Sequence, residues 1–249
     1  MKRLVRPLAL LGMGFLAIYG LSKVVESQEA EPAQVAAVIT FVKGKVVVVR
    51  PGGGEPVRAK KGEFLNEGDI VRTGPKEKAA VAFMEGAEVR INENTEFEVS
   101  RQGGPKKERK VFLPKGQVWT RLLHHNAEFA IRTTAAVAAV RGTEADVEMS
   151  NLMTVKVYEG TVDLMNKAGS TALTAGQMSQ AGGQGSAPAP AKQMSQGDYG
   201  KWQQGMRIKN IEELLKQLQN QGGSGEKKLK IQIEKDGQQK EVELKFKKK

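Results

Sequence analysis

Apolar and polar side chains alternate with a period of two along most of the stretch from Val38 to Leu173, and glycines punctuate the alternation. Successive side chains of a strand point to opposite faces, so this pattern predicts half-buried strands with hardly a helical period among them. Phe129 and Ile131 then share one face of a strand, and Ala145 and Val147 share one face of another. The run Val46-Val47-Val48-Val49 stands between Gly44 and Pro51-Gly52-Gly53-Gly54, which predicts a hairpin or two successive strands over Val38–Val49. In Ala79–Ile91 the odd-numbered positions Val81, Phe83, Val89 and Ile91 are apolar and are interrupted by Glu85-Gly86-Ala87. A three-residue loop there keeps the four side chains on one face, whereas a two-residue loop scatters them.

Further strands are predicted over Val111–Leu122, Thr154–Tyr158, Thr161–Met165 and Thr171–Leu173, with a turn at Glu159-Gly160. Many short strands without long intervening helices predict an all-β fold, a short-stranded antiparallel β-roll or sandwich-like domain over residues 36–178. Phe83, Phe97, Phe112, Trp119 and Phe129 are expected to anchor its core. The small side chains of Ala135-Ala136-Val137-Ala138-Ala139 suit close approach of two sheets.

The pattern changes after this domain. Residues 179–200 are rich in Gly, Ala, Pro, Ser and Gln, and read as a flexible linker. Within 201–221, Ile208, Ile211, Leu214, Leu215 and Leu218 recur at helical spacing, with Asn210 as N-cap and Glu213 three positions on. This predicts an amphipathic helix ended by Gly222-Gly223, whose apolar stripe packs on the chain itself or, in a homodimer joined through 208–218, on a second copy. Residues 228–249 read as a β-hairpin around Asp236-Gly237, pairing Ile231 with Val242, Leu229 with Leu244 and Lys230 with Glu243.

At the other end, Lys2, Arg3 and Arg6 precede an apolar stretch from Leu8 to Leu21. Residues 1–30 therefore read as a signal peptide, or as an N-terminal anchor in the inner membrane through residues 8–21. Either reading places the rest of the chain outside the cytoplasm, in the periplasm or beyond it, because the positive charges stay inside. Membrane contact is expected if the segment is kept.

Composition narrows the chemistry. A chain of 249 residues with 39% apolar content can bury one sizeable domain with appendages. The absence of cysteine removes disulfides, thiolate nucleophiles and a lipoprotein anchor. A formal charge of +11 favours acidic partners. Lys245, Lys247, Lys248 and Lys249 form a basic tail, either a solvated strand end or an anion-binding patch.

No catalytic residue, cofactor site or metal site emerges. His124 and His125 are adjacent, so in a strand they face opposite ways and cannot share a metal. Glu67 with Asp69, and Glu144 with Asp146, alternate on a strand face as carboxylates do by chance in a charged β protein. No serine stands in a nucleophile elbow and no glycine-rich loop opens a helix. The chain is expected to be a non-enzyme.

The segment Phe129–Glu148 carries the most specific pattern. Thr134, Val137, Ala139, Arg141, Gly142, Thr143 and Val147 follow T-x-x-A-x-A-x-RGT-x-x-x-V in outline, and Gly142 offers a backbone position free for positive φ. Upstream stand Gly68-Asp69-Ile70-Val71-Arg72-Thr73-Gly74 and Asn94-Thr95, and downstream Val155-Lys156-Val157-Tyr158-Glu159-Gly160-Thr161-Val162 and Leu173-Thr174-Ala175-Gly176-Gln177. Together, from about Val38 to Met178, these motifs resemble the FecR-type domain, a bacterial extracytoplasmic β module. Gly68, Asp69, Thr73, Gly74, Arg141, Gly142, Thr143, Glu159, Gly160 and Gly176 are then turn-forming family residues. For Arg141 two roles are open: a buried guanidinium bonding turn carbonyls, or an exposed recognition residue.

The resemblance implies an exported binding or sensing module that acts by protein contact in the periplasm or cell envelope, in signal transduction. Its partner is then another envelope protein. In the regulators of that family a cytoplasmic N-terminal domain controls a sigma factor, but here Met1–Pro7 alone precede the apolar stretch, too few for such a domain. The alternative is a structural envelope module that holds anionic cell-wall or surface polymer through its basic surface. Nucleic acid is not an expected partner.

Overall fold

The computed structural model describes residues 35–100, 109–123, 128–206, 226–235 and 238–247. The expected signal peptide or anchor over 1–30 and His124 and His125 lie outside them, as does most of the expected helix.

Strand formation follows the alternation. The first strands are β1 (Val35–Lys43), β2 (Val47–Val49), β3 (Val57–Arg58), β4 (Phe64–Asn66) and β5 (Ile70–Arg72). Next come β6 (Lys78–Phe83), β7 (Ala87–Ile91), β8 (Glu96–Val99), β9 (Arg109–Leu122) and β10 (Glu128–Arg132). Then follow β11 (Val137–Met149), β12 (Met153–Asn166), β13 (Gly169–Thr174), β14 (Gln177–Ala181) and β15 (Lys192–Gln193). These belong to one sheet; β16 (Glu226–Lys235) and β17 (Gln238–Lys247) form a second, two-stranded one. In that hairpin Ile231 lies opposite Val242, Leu229 opposite Leu244 and Lys230 opposite Glu243, the register that the spacing predicts.

Three long strands organise the main sheet, and each changes partners at a glycine. β9 pairs with β8 and β10 before Gly116, and with β7 and β11 after it. β11 pairs with β10 up to Arg141 and with β9 from Glu144. β12 pairs with β14 before Gly160 and with β13 after it. All three glycines have positive φ: 98° at Gly116, 57° at Gly142 and 75° at Gly160. A residue inserted in a strand shifts the alternation by one, so the buried positions change parity at each corner. In β9 Val111 and Leu113 are buried before the corner and Val118 and Leu122 after it. Ala138 and Val140 give way to Ala145 and Val147 in β11, and Val155 and Val157 to Val162 and Leu164 in β12.

The corners double the sheet over, and the core lies inside. Phe83 of β6 meets Phe97 of β8 and Phe129 of β10 edge to face, with ring centroids 6.2 Å and 5.2 Å apart. All three are fully buried. Of the other expected anchors, Phe112 is half-buried with the Arg132 guanidinium 4.6 Å over its ring. Trp119 is buried on the opposite side of the sheet from the core, because it comes after the parity change at Gly116.

Several expectations are corrected. The sheet is mixed, since β9 and β10 run parallel. The strands at its centre are long: 14 residues in β9, 13 in β11 and 14 in β12. Arg141-Gly142-Thr143 and Glu159-Gly160 are bulges inside continuous strands instead of chain-reversing turns. The reversal before β11 falls at Thr133, whose backbone N–H donates to the Ala136 carbonyl at 2.9 Å. The three-residue loop between β6 and β7 keeps the expected face but spans Met84-Glu85-Gly86, one position earlier, because Gly86 takes φ 91° as its last residue.

Residues 179–200 are not a free linker. β14 pairs with β12, and β15 with β14. The Ala189 N–H donates to the Gln180 carbonyl at 2.8 Å, and the Met194 N–H to that of Gly176 at 2.8 Å. Backbone bonding to the sheet orders a segment whose side chains bury little. Residues 201–206, the start of the expected helix, form turns, with Gly205 at φ 83°. The carbonyls of Trp202 and Gln203 accept from Lys78 and Arg90 of the sheet, and that of Lys201 accepts from the Gln204 N–H at 3.1 Å.

Candidate functional site

The predicted motif residues fall into two structural groups. Gly68 (φ 87°) and Asp69 close the turn into β5. The Asp69 carboxylate accepts from the Asn66 N–H at 2.7 Å and pairs with Arg50, which also reaches Glu63 at 2.6 Å. Burial pushes the Asp69 carboxyl above its ordinary value against both contacts. The Thr73 hydroxyl donates to the Asn92 carbonyl at 2.6 Å and accepts from the Thr95 N–H at 3.0 Å. The Gly74 N–H donates to Glu77 at 2.7 Å, which holds that carboxyl below its usual range.

The second group builds the double corner of β11 and β12. The Thr143 hydroxyl lies 2.6 Å from the Arg141 carbonyl and 2.7 Å from that of Thr161, and accepts from both their N–H groups at 3.2 Å. It ties the two bulges together. A Cβ at Gly160 would run into the Gly142 carbonyl oxygen. Arg141 itself is exposed, because Val140 takes the inward position beside it; the buried reading is overturned. Gly176 (φ 82°) donates its N–H to Val157 at 2.9 Å. These residues shape the sheet and gather no chemistry. Lys245 and Lys247 fall on β17, and Lys248 and Lys249 lie outside the described residues.

The structure assembles a different cluster on the outer face of β7, β9, β11 and β12. Register sets Arg90, Trp119, Asp146 and Lys156 side by side across the four strands. A second row holds Glu88, Arg121 and Glu144. Glu88 is fully buried and pairs with Arg90 at 2.8 Å and Arg121 at 3.0 Å. The Arg90 guanidinium stacks 4.0 Å from the Trp119 ring, whose indole N–H donates to Glu144 at 3.1 Å.

Across this face runs the chain's own strap, residues 198–206. Lys156 donates to the Asp198 carbonyl at 2.9 Å, Lys78 to that of Trp202 at 2.7 Å, and Arg90 to that of Gln203 at 2.9 Å. The Trp202 indole N–H donates to Asp146 at 2.8 Å, and the Gly200 N–H to the Tyr158 hydroxyl at 3.4 Å. Burial raises the Asp146 carboxyl to about 6, against the lowering effect of the Trp202 and Gln117 bonds. Burial, and then the Asp146 charge, also push the Tyr158 phenol up. Beside the strap a cavity of about 330 Å³ remains, lined by Arg90, Trp119, Glu144, Gln203, Gln204 and Gly205.

Such a face can grip a peptide by its carbonyls and one indole. Among the described residues no group of His, Asp and Glu is placed to hold a metal ion. The sequence reading missed the cluster. Its signal was the alternation of Glu88 with Arg90, Trp119 with Arg121, and Glu144 with Asp146, charged or aromatic positions on one face of three neighbouring strands.

The family model described as "FecR protein" matches residues 69–163. That match lies inside the 38–178 resemblance and stops short of both ends, although β1–β4, β13 and β14 continue the same sheet. Two crystal structures of a "putative anti-sigma factor" from Parabacteroides distasonis ATCC 8503 are similar at 18% identity and a TM-score of 0.44. Each alignment covers 51% of this chain and 60% of the solved chain. No curated protein matches the chain.

Proposed function

We propose, from the FecR-type domain that the chain carries over residues 69–163, that this protein is an exported, non-catalytic sensing module that works by protein contact in the cell envelope, within signal transduction. The observation that carries the contact reading is the outer face, which already holds a peptide segment through three cation–carbonyl bonds and an indole–carboxylate bond. Hydrogen bonds from cations to main-chain carbonyls bind any peptide backbone, and a buried aromatic anchor adds selectivity. The basic N-terminal residues followed by Leu8–Leu21 support export, with the body in the periplasm.

The test is fractionation of cells that make the full chain, with protease added to spheroplasts, followed by cross-linking in the envelope at low and high salt. The proposal expects a chain accessible from the periplasmic side and cross-linked to protein at both salt concentrations. Recovery from the cytosol overturns it. The formal charge of +11 favours the second reading, a structural module on anionic envelope polymer. That reading expects the chain to sediment with cell-wall material at low salt and to be released as salt rises.

A further inference from the structure

The outer face of β7, β9, β11 and β12 has a property that a merely structural contact does not need: it recognises its strap mostly through groups that any peptide carries. Arg90 of β7, Lys156 of β12 and, from the neighbouring β6, Lys78 each donate to a strap carbonyl. Asp146, itself 2% exposed, adds recognition of a side chain by accepting the Trp202 indole N–H. We propose that this face is a peptide-binding site filled in cis by residues 198–206, and that a tryptophan-bearing segment of a partner protein enters it by displacing the strap.

Three observations favour a displaceable strap. Residues 198–206 add no strand to the sheet, so their release breaks no ladder bond. Lys201, Gln204 and Gly205 are exposed and Tyr199 is 45% exposed, so the apolar burial that holds the strap rests chiefly on Met206, 3% exposed, and the half-buried Trp202. The seat is also incompletely filled, because the cavity of about 330 Å³ lies between the strap and Arg90, Trp119 and Glu144. An arriving segment with a larger side chain where Gln204 stands gains contacts there that the strap does not make. Once opened, the face presents Asp146, Arg90 and Glu88 to water, and charged groups hydrate readily where a bare apolar face would not. The inference deepens the protein-contact reading by assigning it a site and a ligand class.

A synthetic peptide of residues 196–206, blocked at both ends, is the probe. It is titrated by calorimetry into the full chain and into its Trp202→Ala variant, in which the strap has lost its anchor. At least tenfold tighter binding to Trp202→Ala than to the unchanged chain is expected, together with at least a tenfold loss when the tryptophan of the peptide is replaced by alanine. Lys78→Met, which weakens the strap without touching the core, gives the same comparison if Trp202→Ala fails to fold. Equal binding to both chains, or none to a folded variant, overturns the proposal. A dimer of the unchanged chain that dissociates on Trp202→Ala also overturns it, by showing the face filled from a second copy. The titration needs no cell envelope, so its failure leaves the localisation test standing and the reverse holds too.

Discussion

Trp202 donates its indole N–H to the Asp146 carboxylate at 2.8 Å, across 56 residues of chain. The other carboxylate oxygen accepts from Gln117 at 2.9 Å. Asp146 thus joins β11, β9 and the strap in one buried node.

This node makes stability depend on pH. Asp146 titrates near 6 in the folded protein, above its ordinary 3.8, so between those values the folded state binds more protons than the unfolded one. Stability therefore falls as pH rises through this window, by about 3 kcal/mol in all, with about half of that fall between pH 5 and 7.5. Urea unfolding at a series of pH values measures it. Asp146→Asn should flatten the slope over that interval whatever it does to the absolute stability, and a slope that survives the substitution refutes the assignment.

Glu88 supports the same face from below. It is buried between Arg90, whose side chain is 3% exposed, and Arg121, which is 33% exposed. Glu88→Gln leaves the Arg90 charge without its carboxylate in a dry site, and should cost about 3 kcal/mol. Arg121→Ala should cost less, about 1 kcal/mol, since Glu88 keeps Arg90 and removal of the partly exposed Arg121 side chain opens its other oxygen to water. Equal losses for the two variants in urea unfolding would contradict this ordering.

The glycines separate into those that carry the corners and those that do not. Gly160 and Gly52 both have positive φ, but a Cβ at Gly160 meets the Gly142 carbonyl whereas one at Gly52 meets nothing within 4 Å. Gly52→Ala should therefore cost only the backbone term, about 1 kcal/mol. Gly160→Ala adds a clash between two bulges and should cost about 3 kcal/mol or prevent folding. Thermal unfolding of the two variants side by side tests the contrast.

How much of this was legible depends on how much a local pattern can encode. Alternation revealed the strands, and the apolar positions even record the corners, since they change parity across Gly116, Gly142 and Gly160. A polar residue followed by glycine nevertheless reads as a turn, because bulges and turns call on the same backbone freedom. Residues 179–200 looked unstructured because composition reports side-chain burial, and what orders them is bonding to β12 and β14 through the main chain. The outer face was hidden for a third reason. Glu144 and Asp146 look like solvated carboxylates until Gln117 and Trp202 are placed against Asp146, and nothing in the spacing announces a contact of that range.

Thr143 shows how a single hydroxyl can set the fold around such a site. Its Oγ1 stands among the carbonyls and N–H groups of Arg141 and Thr161, the last pair of the β11–β12 ladder before the bulge. Thr143 is 2% exposed, so water does not replace the hydroxyl if it is removed. Thr143→Val keeps the shape and removes the buried hydroxyl's hydrogen bonds, which should cost about 2 kcal/mol, while Thr143→Ser keeps the hydroxyl and loses one methyl, about 1 kcal/mol. The corner also aims Glu144 and Asp146, which come directly after it on β11, at the outer face. Loosening by Thr143→Val should therefore raise amide hydrogen exchange in the strap as well as at the corner, whereas Thr143→Ser leaves the strap protected. Faster exchange at the corner alone would mean that the bulges do not position the face.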